Sequence, residues 1–451
     1  MRGVLLMSEF VKKSLKKSLE DESIKNELYK EYSVKKGLRN EDGTGVLVGL
    51  TRISDVVGYR KVDGKKIDDY GKLYYRGILV SDIVSKSEGR RYMFEEVCFL
   101  ILFGHLPNRQ ELEIFKNIIA HRYELPDRYL EHSILNFPSK NLMNKLQQEV
   151  LMMYRYDKYD PDSKDTWDLI EKGINLIAKI PVIVCYTYAT KIHNFDNASL
   201  VIHHIDPNLS IAEQILYLLR PDGKYTKQEA EVLDRCLLLH ADHGGGNNST
   251  FTSVVISSTG TDLYSAISGS IGSLKGPRHG GANLAVRKQM LAAIDEIGID
   301  ADDRTIRKLI KRIMDKDFND NSGLVYGIGH AVYTLSDPRA EILEKKCGEL
   351  AIEKGRHDEF LFYKRFAKEA IAEIHERKGI NVCANVDFYT GLIYDMLGIP
   401  EDLYTLLFVI GRTVGWVAHI IEDQLYSNRI VRPATKYVGS IRPYILLDDR
   451  E

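Results

Sequence analysis

Tyr404 to Ile421, YTLLFVIGRTVGWVAHII, is the most apolar long stretch of the chain. It does not read as a membrane span, because Arg412 and His419 lie inside it and a charge at bilayer depth is costly. Leu403, Leu407, Ile410, Val414, Val417 and Ile421 recur at spacings of four and three, the period of one apolar stripe on an α-helix. Gly411 and Gly415 stand one turn apart and let another helix approach closely. The stretch is therefore a buried helix. Arg412 interrupts its apolar face, and a charge in that position needs an anion.

Outward from this helix the same period recurs. Leu142, Leu146, Val150 and Met153 mark one helix, and Ile174 to Ala189 reads as a core helix kinked at Pro181. A β-region stands near the N-terminus, where Val46, Val48 and Leu50 alternate, Asp63-Gly64 makes a turn, and Leu73 to Tyr75 returns. Ser8 to Lys36 is Lys/Glu-rich, as expected of surface helices or an arm that reaches a partner subunit. The fold class is mainly α, with that short β-region.

At 451 residues the chain suits one large domain and a smaller partner. The polar run from His279 to about Gly379 sets the expected division: 1–280 large domain, 281–391 small helical domain, 392–451 large domain again. The net charge of −2, without a basic stripe, argues against nucleic acid or a membrane as partner. Five scattered cysteines without a CxxC pair read as reduced thiols. MRGVLLMSEFVKK has too short an apolar run for a signal peptide, so a cytoplasmic location is expected.

The chemistry gathers in glycine-flanked histidine loops. His240 to Asn248 reads HADHGGGNN, Gly276 to Asn283 reads GPRHGGAN, and Gly323 to Arg339 reads GLVYGIGHAVYTLSDPR. Glycines beside His243, His279 and His330 present these rings on loops rather than in the core. Gly327 and Gly329 are read as allowing close ligand approach. In Asn385 to Gly391, NVDFYTG, Asp387 sits among apolar neighbours, where it is either a helix N-cap or a carboxylate raised by desolvation into a usable base. Arg339, Arg412 and Arg432 suit a small dicarboxylate held by bidentate guanidinium contacts.

HADHGGGNNSTFT, GPRHGGAN, GIGHAVYTLSDPRA, NVDFYTG and the terminal RIVRP, in that order, resemble the motif series of the citrate/2-methylcitrate synthase family. Leu73 to Gly77 and FEEVCFLILFGHLP extend the likeness toward the N-terminus. The resemblance implies a two-domain helical fold and a metal-free, cofactor-free condensation of acetyl-CoA with oxaloacetate, followed by hydrolysis of the citryl thioester. It implies Asp387 as base, His279 as donor to the thioester oxygen, and His330 as donor to the oxaloacetate carbonyl. His243, Arg339 and Arg412 would bind the carboxylates, with Arg432 supplied by the other subunit of a homodimer. His240, nearer the helix, is the structural histidine.

Leu324, Val325, Gly327 and Gly329 would offer backbone groups to CoA. On that side the chain departs from the family pattern at Tyr326, Ile328, Thr334 and Ala434, leaving Arg278, Lys364, Arg365 or Lys436 to meet the phosphates. Phe388 and Tyr389 are candidates to limit acyl size, since propionyl-CoA differs from acetyl-CoA by one methylene. Two other classes remain in view: a hydrolase with His240, Asp242 and His243 as metal ligands, and a non-catalytic helical scaffold. Against the scaffold, every position the condensation needs is filled.

Overall fold

The computed structural model describes residues 9–13, 15–16, 24–63, 65–158, 160–276, 279–427 and 429–450. The N-terminal octet and Arg278, both invoked above, lie outside the described residues. The chain divides into two compact units, Gly49–Ile430 and a terminal unit of Met1–Val48 with Val431–Glu451.

In the larger unit, β1 (Ser54–Val62) and β2 (Lys65–Tyr75) form an antiparallel hairpin, and β3 (Ile78–Leu79) pairs with the end of β2. The hairpin begins later than its alternating residues suggest. Val46, Val48 and Leu50 are not strand, and Leu50 is 93% exposed. Alternation without a surface to pack on does not make a strand.

Fourteen helices of eight residues or more follow among the described residues. They are α1 (Met93–Phe103), α2 (Arg109–Ala120), α3 (Leu142–Met153), α4 (Thr166–Phe195) and α5 (Ile211–Leu219). Next come α6 (Lys227–His240), α7 (Asn248–Ser257), α8 (Leu263–Lys275), α9 (Ala282–Ile297) and α10 (Asp303–Met314). The last four are α11 (Pro338–Glu353), α12 (His357–Lys378), α13 (Val386–Met396) and α14 (Tyr404–Tyr426). Local chemistry starts them: Asn108, Ser210 and Thr226 each close a capping box with a glutamate three residues on. Pro181 lies inside α4, whose helix continues through it.

Helix α14 is the axis of this unit, packed by α4, α6, α7 and α8. The stripe predicted for it is only part of what it buries, because Leu406, Phe408, Val409, Trp416 and Ala418 are also inside. A helix apolar all round is one surrounded by others. A Cβ at Gly411 would crowd Leu237 O, and one at Gly415 would crowd Asp242, so the two glycines let the end of α6 lie directly on α14. A second group packs α13 on α9 and α11, and α12 on α10 and α11. The junction expected at 391/392 falls within α13.

The terminal unit holds a short helix, Glu27–Glu31, a turn in which Asp42 accepts from Thr44 N, and an irregular C-terminal segment. Lys436 lies over the Tyr32 ring, 5.5 Å from its centre.

Candidate active site

The loops between α6 and α7, before α9 and before α11, the first turn of α13 and the middle of α14 supply the expected groups. His243 and His330 meet edge to face, their rings 5.1 Å apart, with Tyr333 stacked on His330 at 4.8 Å. His330 Nδ1 accepts from the backbone N–H groups of Val332, at 3.0 Å, and Tyr333, at 3.2 Å. The neutral ring therefore carries its proton on Nε2 and is a donor there. Burial, then Arg339, push His243 well below the usual histidine range, so this ring is neutral, and its Nε2 is buried without a partner in the protein.

Two backbone segments bring His330 to Asp387. Ile328 bridges Ala384, Gly329 N donates to Cys383 O at 2.8 Å, and Asn385 N donates to Gly327 O at 2.8 Å. Asn385 then caps α13, its Oδ1 accepting from Asp387 N at 3.0 Å while its Nδ2 donates to Gly329 O at 2.8 Å. The N-cap role open to Asp387 thus belongs to Asn385, two residues earlier. Asp387 Oδ1 is out of solvent and has no hydrogen-bond partner, and burial lifts the carboxyl to about 6.

His279 Nε2 lies 3.1 Å from Asn247 Oδ1 and 3.2 Å from Ser249 Oγ, and burial followed by Arg412 lowers its pKa to about 4. Trp416 on α14 donates to Ser249 Oγ at 3.1 Å. Asn247 also caps α7, so one side chain both starts that helix and touches the histidine.

The arginines separate. Arg412 is fully buried and over the Phe408 ring; its Nε donates to His240 O at 2.7 Å, but Nη1 and Nη2 have no partner in the protein. Burial holds it down to about 10. Its charge is felt at His240, His243, His279 and Asp387, which places these groups in one electrostatic neighbourhood. Arg339 is also buried, yet Asp337 already clasps it, from Nε at 3.0 Å and Nη2 at 2.7 Å. Against the effect of burial, that carboxylate raises its pKa. Arg432 belongs to the terminal unit and is exposed. His240 stacks on Phe408 at 4.4 Å with both ring nitrogens buried and unpartnered.

Several expectations meet other demands. Gly327, at φ +77, is required by packing, since a Cβ there would crowd Phe388 and Val286 rather than a ligand. Leu324 O and Tyr326 N are both engaged by the Gln289 side chain, and Gly327 O and Gly329 N by the 383–385 segment. Val325 is buried and Leu324 exposed. Arg365 donates to Ile299 O at 2.9 Å and to Ala301 O, and Lys364 pairs with Glu344 at 2.8 Å. Phe388 is buried against Tyr363, and Tyr389 donates to Glu344 at 3.0 Å, so both serve helix packing. Among the described residues no group of three His, Cys, Asp or Glu side chains is arranged to hold a metal ion.

Asp242 was not foreseen as a support. Its Oδ2 accepts from His419 Nε2 at 3.1 Å, from Gly244 N at 3.0 Å and from Ser54 Oγ. The signal for this was a buried aspartate between two histidines; its partners are too distant in sequence to be read.

Residues 40–434 match the family model described as "Citrate synthase, C-terminal domain". The chain is 35% identical to a citrate synthase of Haloferax volcanii over 88% of its own length and 94% of the relative's. It is also 35% identical to 2-methylcitrate synthase 1 of Corynebacterium glutamicum, covering 90% and 95%. Among solved structures, the citrate synthase of Thermoplasma acidophilum in ternary complex with carboxymethyl coenzyme A and oxaloacetate superposes with a TM-score of 0.75. That pair is 28% identical and covers 92% of this chain and 99% of the other. The chain belongs to the citrate synthase family, transferases that condense acetyl-CoA with oxaloacetate.

Proposed function

We propose that this protein condenses acetyl-CoA with oxaloacetate and hydrolyses the resulting citryl thioester, with the roles set by its own geometry. The observation that carries the reading is Arg412: a buried guanidinium with two unpartnered nitrogens, beside a neutral His243 whose Nε2 is also unpartnered. A leftover buried cation is strongly unfavourable, and a substrate carboxylate relieves it. Arg339 supplies a second positive charge, already oriented by Asp337.

Asp387, at about 6, is mostly ionised at neutral pH and basic enough to take a proton from the acetyl methyl. His279 stays neutral far below that pH and can donate to the thioester oxygen as charge develops. Ser249 Oγ accepts from Trp416 and gives its own proton to Asn247 Oδ1 at 2.8 Å, which fixes the two groups that His279 Nε2 faces. His330, protonated on Nε2, donates to the ketone oxygen as the new carbon–carbon bond forms. Closure of the α9–α13 helices over the remainder excludes water during condensation.

A second acyl substrate is supported by equal identity to citrate and 2-methylcitrate synthases, and one methylene is worth about 1–3 kcal/mol in an apolar pocket. We further propose a homodimer in which Arg432 reaches the partner's site. Mixing the inactive Arg432→Ala and Asp387→Ala proteins would then regain turnover through hybrid dimers. Five buried free cysteines support a reducing, cytoplasmic setting.

The test is thiol release from acetyl-CoA and from propionyl-CoA, each with and without oxaloacetate, on EDTA-treated protein. Oxaloacetate-dependent release is expected, unchanged by the chelator, and the ratio of the two rates gives the acyl preference. No release from either thioester returns the protein to the scaffold class.

A further inference from the structure

The hairpin formed by β1 and β2 rests on both loops that carry the facing histidines. At its base, Ser54 Oγ donates to Asp242 Oδ2 and accepts from Gly244 N at 2.9 Å, spanning the residue that bears the His243 ring. Further along, the register jumps from Val57↔Lys72 to Tyr59↔Asp68, and the irregularity leaves Gly58 and Gly71 where the 332–336 segment crosses. A Cβ on Gly58 would overlap Val332 O, and one on Gly71 would overlap Ser336 O and press on the Tyr333 ring. Thr334 Oγ1 donates to Gly58 O at 3.2 Å, Gly71 N donates to Ser336 Oγ at 3.1 Å, and Asn381 reaches Asp68 at 2.8 Å.

We propose that this hairpin is the positioning element of the site, setting His243 through Ser54 and His330 through the gap at Gly58 and Gly71. The second link is direct. The backbone N–H groups that hold His330 Nδ1 belong to Val332 and Tyr333, the residues lying on the two glycines. Moving that segment by the thickness of a methyl group displaces the ring and loosens the bonds that keep its proton on Nε2. Loops by themselves hold side chains less closely than strands do, and a rigid hairpin gives both loops one reference.

The inference rests on reading His243 and His330 as oxaloacetate ligands. Steady-state kinetics in both substrates test it on Ser54→Ala and Gly71→Ala, with exposed Tyr70→Ala as control and His330→Gln as the check on the reading itself. Misplacement of a reacting group by about 1 Å costs on the order of 100-fold, so Gly71→Ala should lose kcat on that scale with KM for acetyl-CoA unchanged. Ser54→Ala, which removes hydrogen bonds on the binding side, should raise KM for oxaloacetate about tenfold and leave kcat near normal. Methyl-proton exchange of acetyl-CoA in the presence of L-malate, which has no ketone to attack, depends on Asp387 and His279 and should persist in Gly71→Ala. A merely structural hairpin would lower the melting temperature and move none of these ratios.

Folded Gly71→Ala with wild-type kcat, beside an inactive His330→Gln, overturns the hairpin proposal alone. Wild-type turnover in His330→Gln overturns the underlying reading. If Gly71→Ala does not fold, Thr334→Val removes one hydrogen bond without touching the backbone and should still lower kcat about threefold, an unchanged value again overturning the proposal.

Discussion

Arg412 and Arg287 are both buried arginines on helices, and their surroundings differ in one respect. Arg287 on α9 donates to Tyr363 at 3.1 Å, to Asp395 at 2.7 Å and to Glu359, and Arg356 pairs with both carboxylates from the far side. Against the effect of burial, Tyr363 and Glu359 raise its pKa, while Arg412, without a carboxylate partner, is lowered to about 10. A charge whose partners are supplied by the fold belongs to the fold. A charge left with orphaned donors marks where something else binds, and the two residues should therefore fail in opposite ways.

The largest effect lies on the site side. Asp387→Ala should lose condensation and methyl exchange by about 1,000-fold, the scale of a general base, while oxaloacetate still binds; near-normal exchange would remove Asp387 from the mechanism. Next, Arg412→Leu should raise KM for oxaloacetate about 100-fold, because a desolvated charged contact is lost. Its thermal stability should hold or rise, since an unpaired buried charge leaves the apoprotein. A clear fall in melting temperature would place Arg412 with Arg287 and break the comparison.

Arg287→Leu should do the reverse, costing about 2 kcal/mol of stability by denaturant titration with KM for oxaloacetate unchanged in the folded fraction. The smallest effect is a pH dependence. Asp387 is raised in the folded state, so it favours folding only below about pH 4 and that advantage disappears as pH rises through about 6. At pH 7 Asp387→Asn should therefore be more stable than wild type by about 1–2 kcal/mol, with the difference gone near pH 4. In wild type the methyl exchange should fall about tenfold per pH unit below 6, as the base protonates.

Much of this was legible. Arg412 stood out because a charge in an apolar helix has few innocent explanations, and the glycines flanking His243, His279 and His330 placed those rings on loops. Asp387 was ambiguous between cap and base, and the position of Asn385 removes the cap. What could not be read were partners distant in sequence: Ser54 with Asp242, Thr334 with Gly58, Trp416 with Ser249. Hydrogen bonds between segments leave no period in either one. Val46 to Leu50 misled for the complementary reason, since period-two alternation records a strand only where a sheet is present to receive it.

Asn385 has a mechanical consequence. With one amide end on Asp387 N and the other on Gly329 O, it rivets Asp387 to the loop that carries His330. The two groups then share one set of rigid-body coordinates, so whatever opening and closing the enzyme undergoes, they arrive together. Assembly of the reactive geometry needs fewer independent alignments than its count of residues suggests.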